Sequence, residues 1–209
     1  MAYAIMRVEK IKNVTKFAQI ERHHNERHRL THRAHAEKEK ENKEIFSKNF
    51  YERQESLKER FEKRTEGVKI RKNSVLAAEI VLTFSPDFQY SDKWRKENLR
   101  WLTNTFGPGN TLSVQYHADE KTPHLHAFVV PLRDGKLSAK YWFNGAEALS
   151  KLQDSYAASM AQFGLERGKN YVVSKEPVPH HKGVKEFWRD EERKEIEMLK
   201  EKVFGGEER

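Results

Sequence analysis

The sequence predicts an α+β fold in which helices pack on an antiparallel β-sheet. Three observations carry this prediction. Residues 74–84, SVLAAEIVLTF, are a continuous apolar, β-rich run of the kind found in the middle of a sheet. TLSVQYH at 111–117 and HLHAFVVPL at 124–132 flank the short polar loop ADEKTP and read together as an antiparallel hairpin. Apolar residues recur at helical spacing between and after these strands, so the coarse order is βαβαββαα, with neighbouring strands adjacent in the chain.

In chain order, residues 3–11 (YAIMRVEKI) read as an opening strand built on Ile5, Val8 and Ile11. Residues 14–35 are basic and histidine-rich. A helix over 21–35 sets His24, His28, His32 and His35 on one face. From 36 to 66 charges of both signs surround a narrow stripe of Phe46, Phe50, Leu57 and Phe61, with Ile45 beside it, which predicts a solvated amphipathic helix docked along one edge. KIRKN at 69–73 leads into the central strand, and Ser85-Pro86 breaks it. Asp92 is expected to cap a helix reaching about 106, with Trp94, Leu99, Leu102 and Phe106 turned inward and Gly107-Pro108-Gly109 ending it. Beyond the hairpin come a turn at Arg133-Asp134-Gly135 and a helix over 145–163 with Leu149, Leu152, Tyr156 and Phe163 on one side, stopped by Gly164. A last helix over 183–203 carries the stripe Val184, Phe187, Trp188, Ile196, Leu199 and Val203. The expected organisation is one domain over 1–182, with a C-terminal helix at 183–209 packed on it or leading out of it.

Lys and Arg number 40 against 32 Asp and Glu, a net charge of +8, so the expected partner is a polyanion. No apolar run approaches the ~18 residues of a membrane span, and MAYAIMRVEK lacks the apolar core of a signal peptide. The cytoplasm is the expected compartment. With no cysteine in the chain, thiol catalysis and thiolate metal sites are excluded, and any metal must be held by His, Asp or Glu. The ten histidines are unevenly placed: five in 23–35, three in 117–126 and two at 180–181.

The hairpin histidines have the pattern of a metal site. Residues two apart in a strand share a face, so His124 and His126 point to the same side, and the loop folds His117 back beside His124. One histidine there would read as a half-buried sheet residue. Three within ten positions, with Asp119 and Glu120 in the loop, read instead as three neutral nitrogens around an ion that keeps positions open for a substrate oxygen. The acids suit a further ligand, a second contact to a ligand's N–H, or a proton acceptor. All-imidazole sites favour Zn, Cu, Ni or Fe, whereas phosphate chemistry usually employs Mg or Mn. In a basic protein the substrate implied is a phosphodiester.

The string HADEKTPHLHAFVVPLRDGKLSAK resembles the HxDE-x-x-PHxH motif and following GKLS-x-K segment of the MobV (Mob/Pre) plasmid mobilisation relaxases, which are HUH endonucleases. RHHNERH carries the H-x-x-R motif as His24-Asn25-Glu26-Arg27. MAYAIMRVEKIK, IRKNSVLAAEIVLT at 70–83, LERG at 165–168 and HKGVKEF at 181–187 extend the resemblance over about residues 2–188. It implies a twisted antiparallel sheet with helices packed on one side. It further implies a relaxase that nicks one strand at a plasmid origin of transfer, single-stranded or hairpin near the nick, keeps the 5′ phosphate covalently, and later religates.

By that resemblance His24 is the nucleophile, with Glu120 and Arg27 as its catalytic partners, and His117, His124 and His126 hold Mn²⁺ or Mg²⁺, with Zn²⁺ or Ni²⁺ as competitors. A neutral imidazole has a lone pair at pH 7, and a phosphoramidate keeps enough energy for religation. Arg27 suits a phosphate or an oriented carboxylate. His23 competes directly with His24, which is preferred because it opens H-x-x-R, and Tyr51 is a third candidate. Where the family usually carries Asn-Tyr-acid-Leu, this chain has Asn42-Lys43-Glu44-Ile45. Candidate DNA contacts are Lys10, Lys12, Arg22, Arg71, Lys72, Lys136, Lys140 and His181, each also readable as a solvated charge. Trp94, Trp101, Phe128 and Phe163 read as core. The competing functions are a non-enzymatic DNA-binding protein with a structural ion, and an HUH replication initiator or transposase. No feature of the sequence specifies an oligomeric state.

Overall fold

A computed structural model describes residues 1–25, 36–45, 55–86, 88–176, 189, 192–194 and 196–199. The chain divides into two compact units, Met1–Val172 and Val173–Arg209. The strands of the first unit are β1 (Ala2–Ile11), β2 (Lys43–Glu44), β3 (Ala77–Phe84), β4 (Thr111–His117), β5 (His124–Val129), β6 (Leu132–Arg133), β7 (Lys136–Leu137) and β8 (Leu165–Arg167). Six of them form one sheet in the order β2-β4-β5-β3-β1-β8, antiparallel except for the β1–β8 pair. The α+β prediction and the 111–117/124–132 hairpin match this sheet, in which β3 is central.

Alternation along the central strands separates two faces. Ile80, Leu82 and Phe84 of β3, with Leu125, Ala127 and Val129 of β5, point to one face. There they meet α3 (Asp92–Phe106), α4 (Ala139–Phe143) and α5 (Gly145–Met160) through Trp94, Leu102, Phe106, Phe143, Tyr156 and Met160. The opposite face carries Ile11, Ala77 and Phe128 under α1 (Thr15–Asn25) and α2 (Leu57–Arg64), whose Phe17, Leu57 and Phe61 are buried. Helices therefore lie on both faces rather than one. Phe17 is fully buried and meets Phe61 and Phe128 edge-on at 5.3 and 6.0 Å, which lays α1 across the second face.

Two further expectations need correction. The 36–66 segment is not one helix: Ala36–Glu41 is a 3₁₀ turn, Lys43–Glu44 is the edge strand β2, and among its described residues only 57–64 is α-helical. Its start is a capping box, Ser56 accepting the Glu59 N–H while the Glu59 carboxylate accepts the Ser56 N–H. Of the expected stripe, Leu57 and Phe61 are buried, while Phe46 and Phe50 lie outside the described residues, as does the nucleophile candidate Tyr51. Ser91, not Asp92, takes the N-cap position of α3, and Asp92 pairs with Arg95 within the first turn. The short strand β8 comes from the LERG segment and pairs parallel to β1, a placement that no local periodicity signals. Of the last helix, residues 192–194 and 196–199 are helical, and Val184, Phe187, Trp188 and Val203 lie outside the described residues.

Candidate metal centre

The hairpin brings its three histidines together as the strand arithmetic requires. His117 and His124 are directly paired at the last rung between β4 and β5, and His126 lies two residues on, opposite Gln115 and Val81. Their rings stand 4.8–5.0 Å apart, centroid to centroid. His117 and His124 are buried and His126 is partly so. Each of the three offers one nitrogen within 4.8 Å of the others, as a metal-binding group needs.

A fourth imidazole arrives from α1. Docked by Phe17, this helix carries His24 in its last turn over the same end of the sheet. His24 Nδ1 lies 3.0 Å from His117 Nε2, and the His24 ring is 4.9 Å from that of His117 and 5.1 Å from that of His126. His23, its sequence competitor, stacks edge-on against His24 at 5.9 Å and belongs to neither metal-binding group among the described residues.

Hydrogen-bond directions assign the tautomers. A carbonyl only accepts, so His124 Nδ1–H donates to Thr122 O at 3.0 Å and its Nε2 keeps the lone pair. In the neutral cluster His117 Nδ1–H then donates to that Nε2 at 3.2 Å, and His24 Nδ1–H donates to His117 Nε2. His24 Nε2 is thereby left as the basic nitrogen of its ring.

Glu79 is the functional residue that sequence reasoning missed. It sits on β3, opposite Phe128, and accepts the His126 Nδ1–H at 2.6 Å, leaving His126 Nε2 with its lone pair. Burial pushes the Glu79 carboxyl above the ordinary carboxylate range. With His24 and His126 it makes a second group whose ligand atoms lie within 4.8 Å of one another. A signal existed: one acid inside the apolar run of 74–84 costs free energy in a sheet unless it is paired.

The donor set fits a divalent ion. Two of the three hairpin imidazoles have Nδ1 tied to an oxygen acceptor, which is how a protein presents Nε2 to a metal. Nitrogens each about 2.1 Å from one ion lie about 3.0 Å apart at a right angle and about 3.4 Å apart at a tetrahedral one. The 3.2 Å between His117 Nδ1 and His124 Nε2 falls between these values, so the two rings can share an ion once the proton between them is lost.

The other expected site residues are spread more widely. Asp119 is completely buried and Glu120 half-buried in the loop that joins the ligand strands. Arg27 and His181 lie outside the described residues. Lys10 faces the helical layer and donates to the Phe143 carbonyl at 2.7 Å, so the fold uses it as a tether between β1 and α4. Lys12 and Arg22 are exposed beside and on α1. Arg71 and Lys72 are exposed where the chain enters β3, at the end away from the His117–His124 rung, and Lys136 and Lys140 are exposed on β7 and α4. Trp94, Trp101 and Phe128 are buried and Phe163 packs on the core, as expected of them.

A family model described as plasmid recombination enzyme matches residues 1–188. A 65 kDa protein of Zymomonas mobilis subsp. mobilis is 42% identical over 127 residues, covering 56% of this chain and 22% of that protein. Plasmid recombination enzyme type 2 of Staphylococcus aureus is 30% identical over 174 residues, 79% of this chain and 41% of its own length. The chain thus spans less than half the length of these curated relatives. Among solved structures, the MobM relaxase domain, Mn-bound and in complex with a 22-nucleotide pMV158 oriT DNA, is similar with a TM-score of 0.76 and 27% identity, covering 90% of this chain and 99% of that one. The same domain bound to a 26-nucleotide oriT DNA gives a TM-score of 0.68 over 88% of this chain.

Proposed function

The chain belongs to the plasmid recombination enzyme family, and from that premise together with its histidine cluster we propose that it is a relaxase acting on a plasmid origin of transfer. It nicks one DNA strand at a defined site by transesterification and later reseals it. The observation that carries this reading is His24, one hydrogen bond away from the His117/His124/His126 group. A nucleophile and a cation site this close suit attack on a phosphodiester. Further support comes from the net charge of +8 and from the similar relaxase domain, whose structures hold oriT DNA and Mn.

His24 attacks phosphorus with the lone pair of its neutral imidazole. The bond from phosphorus to the 3′ oxygen breaks, and the 5′ phosphate stays on the enzyme as a phosphoramidate. Glu120 exchanges the proton needed by the departing 3′ oxygen, and the reverse reaction reseals the strand. Arg27 holds the phosphate through its planar fork of donors. His117, His124 and His126 would hold the divalent ion, and Glu79 and the Thr122 carbonyl fix the orientations of His126 and His124. When bound, the ion supplies Lewis-acid polarisation of a non-bridging phosphate oxygen. Mn²⁺ is the metal we assign, since the similar relaxase domain is Mn-bound. Among the described residues no helix is long and apolar enough to cross a membrane.

The test is to incubate supercoiled plasmid carrying a cognate origin with the protein and Mn²⁺, map the nick, and identify the residue joined to the 5′ phosphate by peptide mass spectrometry. The expected results are a single nick, loss of nicking in EDTA, and an adduct on His24 that His24→Ala lacks. An adduct on another residue overturns the nucleophile assignment. No adduct on any origin DNA, with metal removal melting the fold, supports a binding protein with a structural ion instead.

A further inference from the structure

The loop 118–123 joins the two strand ends that carry His117 and His124, and side chains from outside the hairpin hold both of its feet. At the first foot, Asn42 Oδ1 accepts the Ala118 N–H at 2.8 Å. At the second, the Thr83 hydroxyl donates to the Pro123 carbonyl at 3.0 Å. Asn42 leads into β2, the neighbour of β4, while Thr83 belongs to β3, the neighbour of β5. Each strand flanking the hairpin thus contributes one clamp, just beyond the His117–His124 rung where the ladder stops. Ala118 is buried, and its N–H needs an acceptor where no further rung supplies one; the Asn42 amide oxygen takes that place.

The strand behind Asn42 is itself anchored. A two-residue edge strand has little intrinsic hold. Here the Ile45 N–H donates to Val114 O at 2.9 Å, and the almost fully enclosed Glu44 carboxylate pairs with Arg60 of α2 at 2.6 Å. Arg60 also donates to Leu112 O at 3.0 Å. The acid of Asn42-Lys43-Glu44-Ile45 therefore fastens β2 to α2, while the Asn reaches the loop and Lys43 stays exposed.

We propose that Asn42 and Thr83 are positioning residues that set the spacing of His117 and His124, and through it the affinity for the divalent ion. This rests on the reading that the three hairpin histidines hold that ion. The experiment titrates Mn²⁺ by calorimetry into the full metal-free chain as wild type, Asn42→Ala, Thr83→Val and the double variant, with Asn42→Asp and Thr83→Ser as conservative variants and His124→Ala as the control. Amide exchange at Ala118 and thermal unfolding without metal accompany it. Loss of a group that orients a ligand weakens metal binding by about 10- to 100-fold. The expected result is binding about tenfold weaker in each truncation and weaker still in the double variant, near-normal binding in Asn42→Asp and Thr83→Ser, and faster Ala118 exchange in Asn42→Ala with the unfolding midpoint little changed. Wild-type affinity in both truncations, with no binding by His124→Ala, overturns the proposal and leaves the metal reading standing. A lowered affinity that tracks a fall in unfolding temperature and is not restored by the conservative variants also overturns it. Failure of the wild type to bind Mn²⁺ overturns both.

Discussion

Replacing Glu79 separates what it does for the metal from what it costs the fold. The carboxylate accepts the His126 Nδ1–H at 2.6 Å from the neighbouring strand, with side chains only 15% and 16% exposed. That contact fixes the ring and its tautomer. Glu79→Gln keeps an acceptor oxygen of the same reach but loses the charge, so Mn²⁺ affinity is expected to fall about tenfold, or about 1.4 kcal/mol. Glu79→Ala removes the contact, and the loss is expected near 100-fold, about 2.7 kcal/mol. Folding should respond the other way. Burial already pushes this carboxyl above its ordinary range, so removing the charge relieves a desolvation cost, and Glu79→Gln should unfold in urea at the wild-type midpoint or slightly above it. The assay pairs calorimetric Mn²⁺ titration with urea unfolding of the metal-free chain. Unchanged Mn²⁺ affinity in Glu79→Ala refutes the reasoning, as does a loss of affinity matched by an equal loss of folding stability.

Phe17→Ala should cost about 3–5 kcal/mol of stability in urea unfolding, because Phe17 is fully buried between Phe61 and Phe128; Phe163→Ala, on a half-exposed ring, should cost clearly less. Nicking should decline below about pH 6, since an imidazolium has no lone pair and the reference histidine pKa is about 6.5; undiminished nicking near pH 5 argues against histidine attack. Burial raises the Tyr116 hydroxyl, assisted by its hydrogen bond with Tyr90, and burial likewise raises Tyr156. Above about pH 10 the unfolded chain therefore loses these protons first and stability falls as pH rises. Tyr156→Phe should flatten that fall in urea midpoints measured from about pH 9 to pH 11, and an unchanged slope contradicts it.

The hairpin site was legible because its information is local. Strand period two puts His124 and His126 on one face, and a six-residue loop returns His117 to His124, so the convergence of the three imidazoles follows from spacing alone. Glu79 and Asn42 reach the same site through sheet order, which no window of sequence encodes. The same holds for β8, whose three residues pair with a strand more than 160 positions earlier. The 36–66 stripe misled for another reason: alternating charges satisfy a helical pattern even where two residues are recruited as an edge strand by Gln115 and Tyr116 of β4. His24 was chosen over His23 by motif position. Its placement depends on Phe17, two turns earlier, docking α1 on Phe128 of the strand that also carries His126.

Covering both faces of the sheet decides where the proposed DNA substrate would have room to bind. One face is closed by α3, α4 and α5 over a continuous apolar core. On the other, apolar Ile11, Ala77, Phe128 and Val130 are confined to one end, and α1 and α2 cover them. Glu79 and His126 lie on this second face, with His117 and His124 on the rung beyond, toward the strand ends. Burying that cluster under an apolar helix would strand several polar groups without partners, at a cost of about 1–3 kcal/mol each. The last turn of α1 reaches over it and carries the basic side chains of Arg22, His23 and His24. A phosphate entering there meets a basic helix end above and imidazoles below, and the hydrogen bond between His24 and His117 spans the two layers.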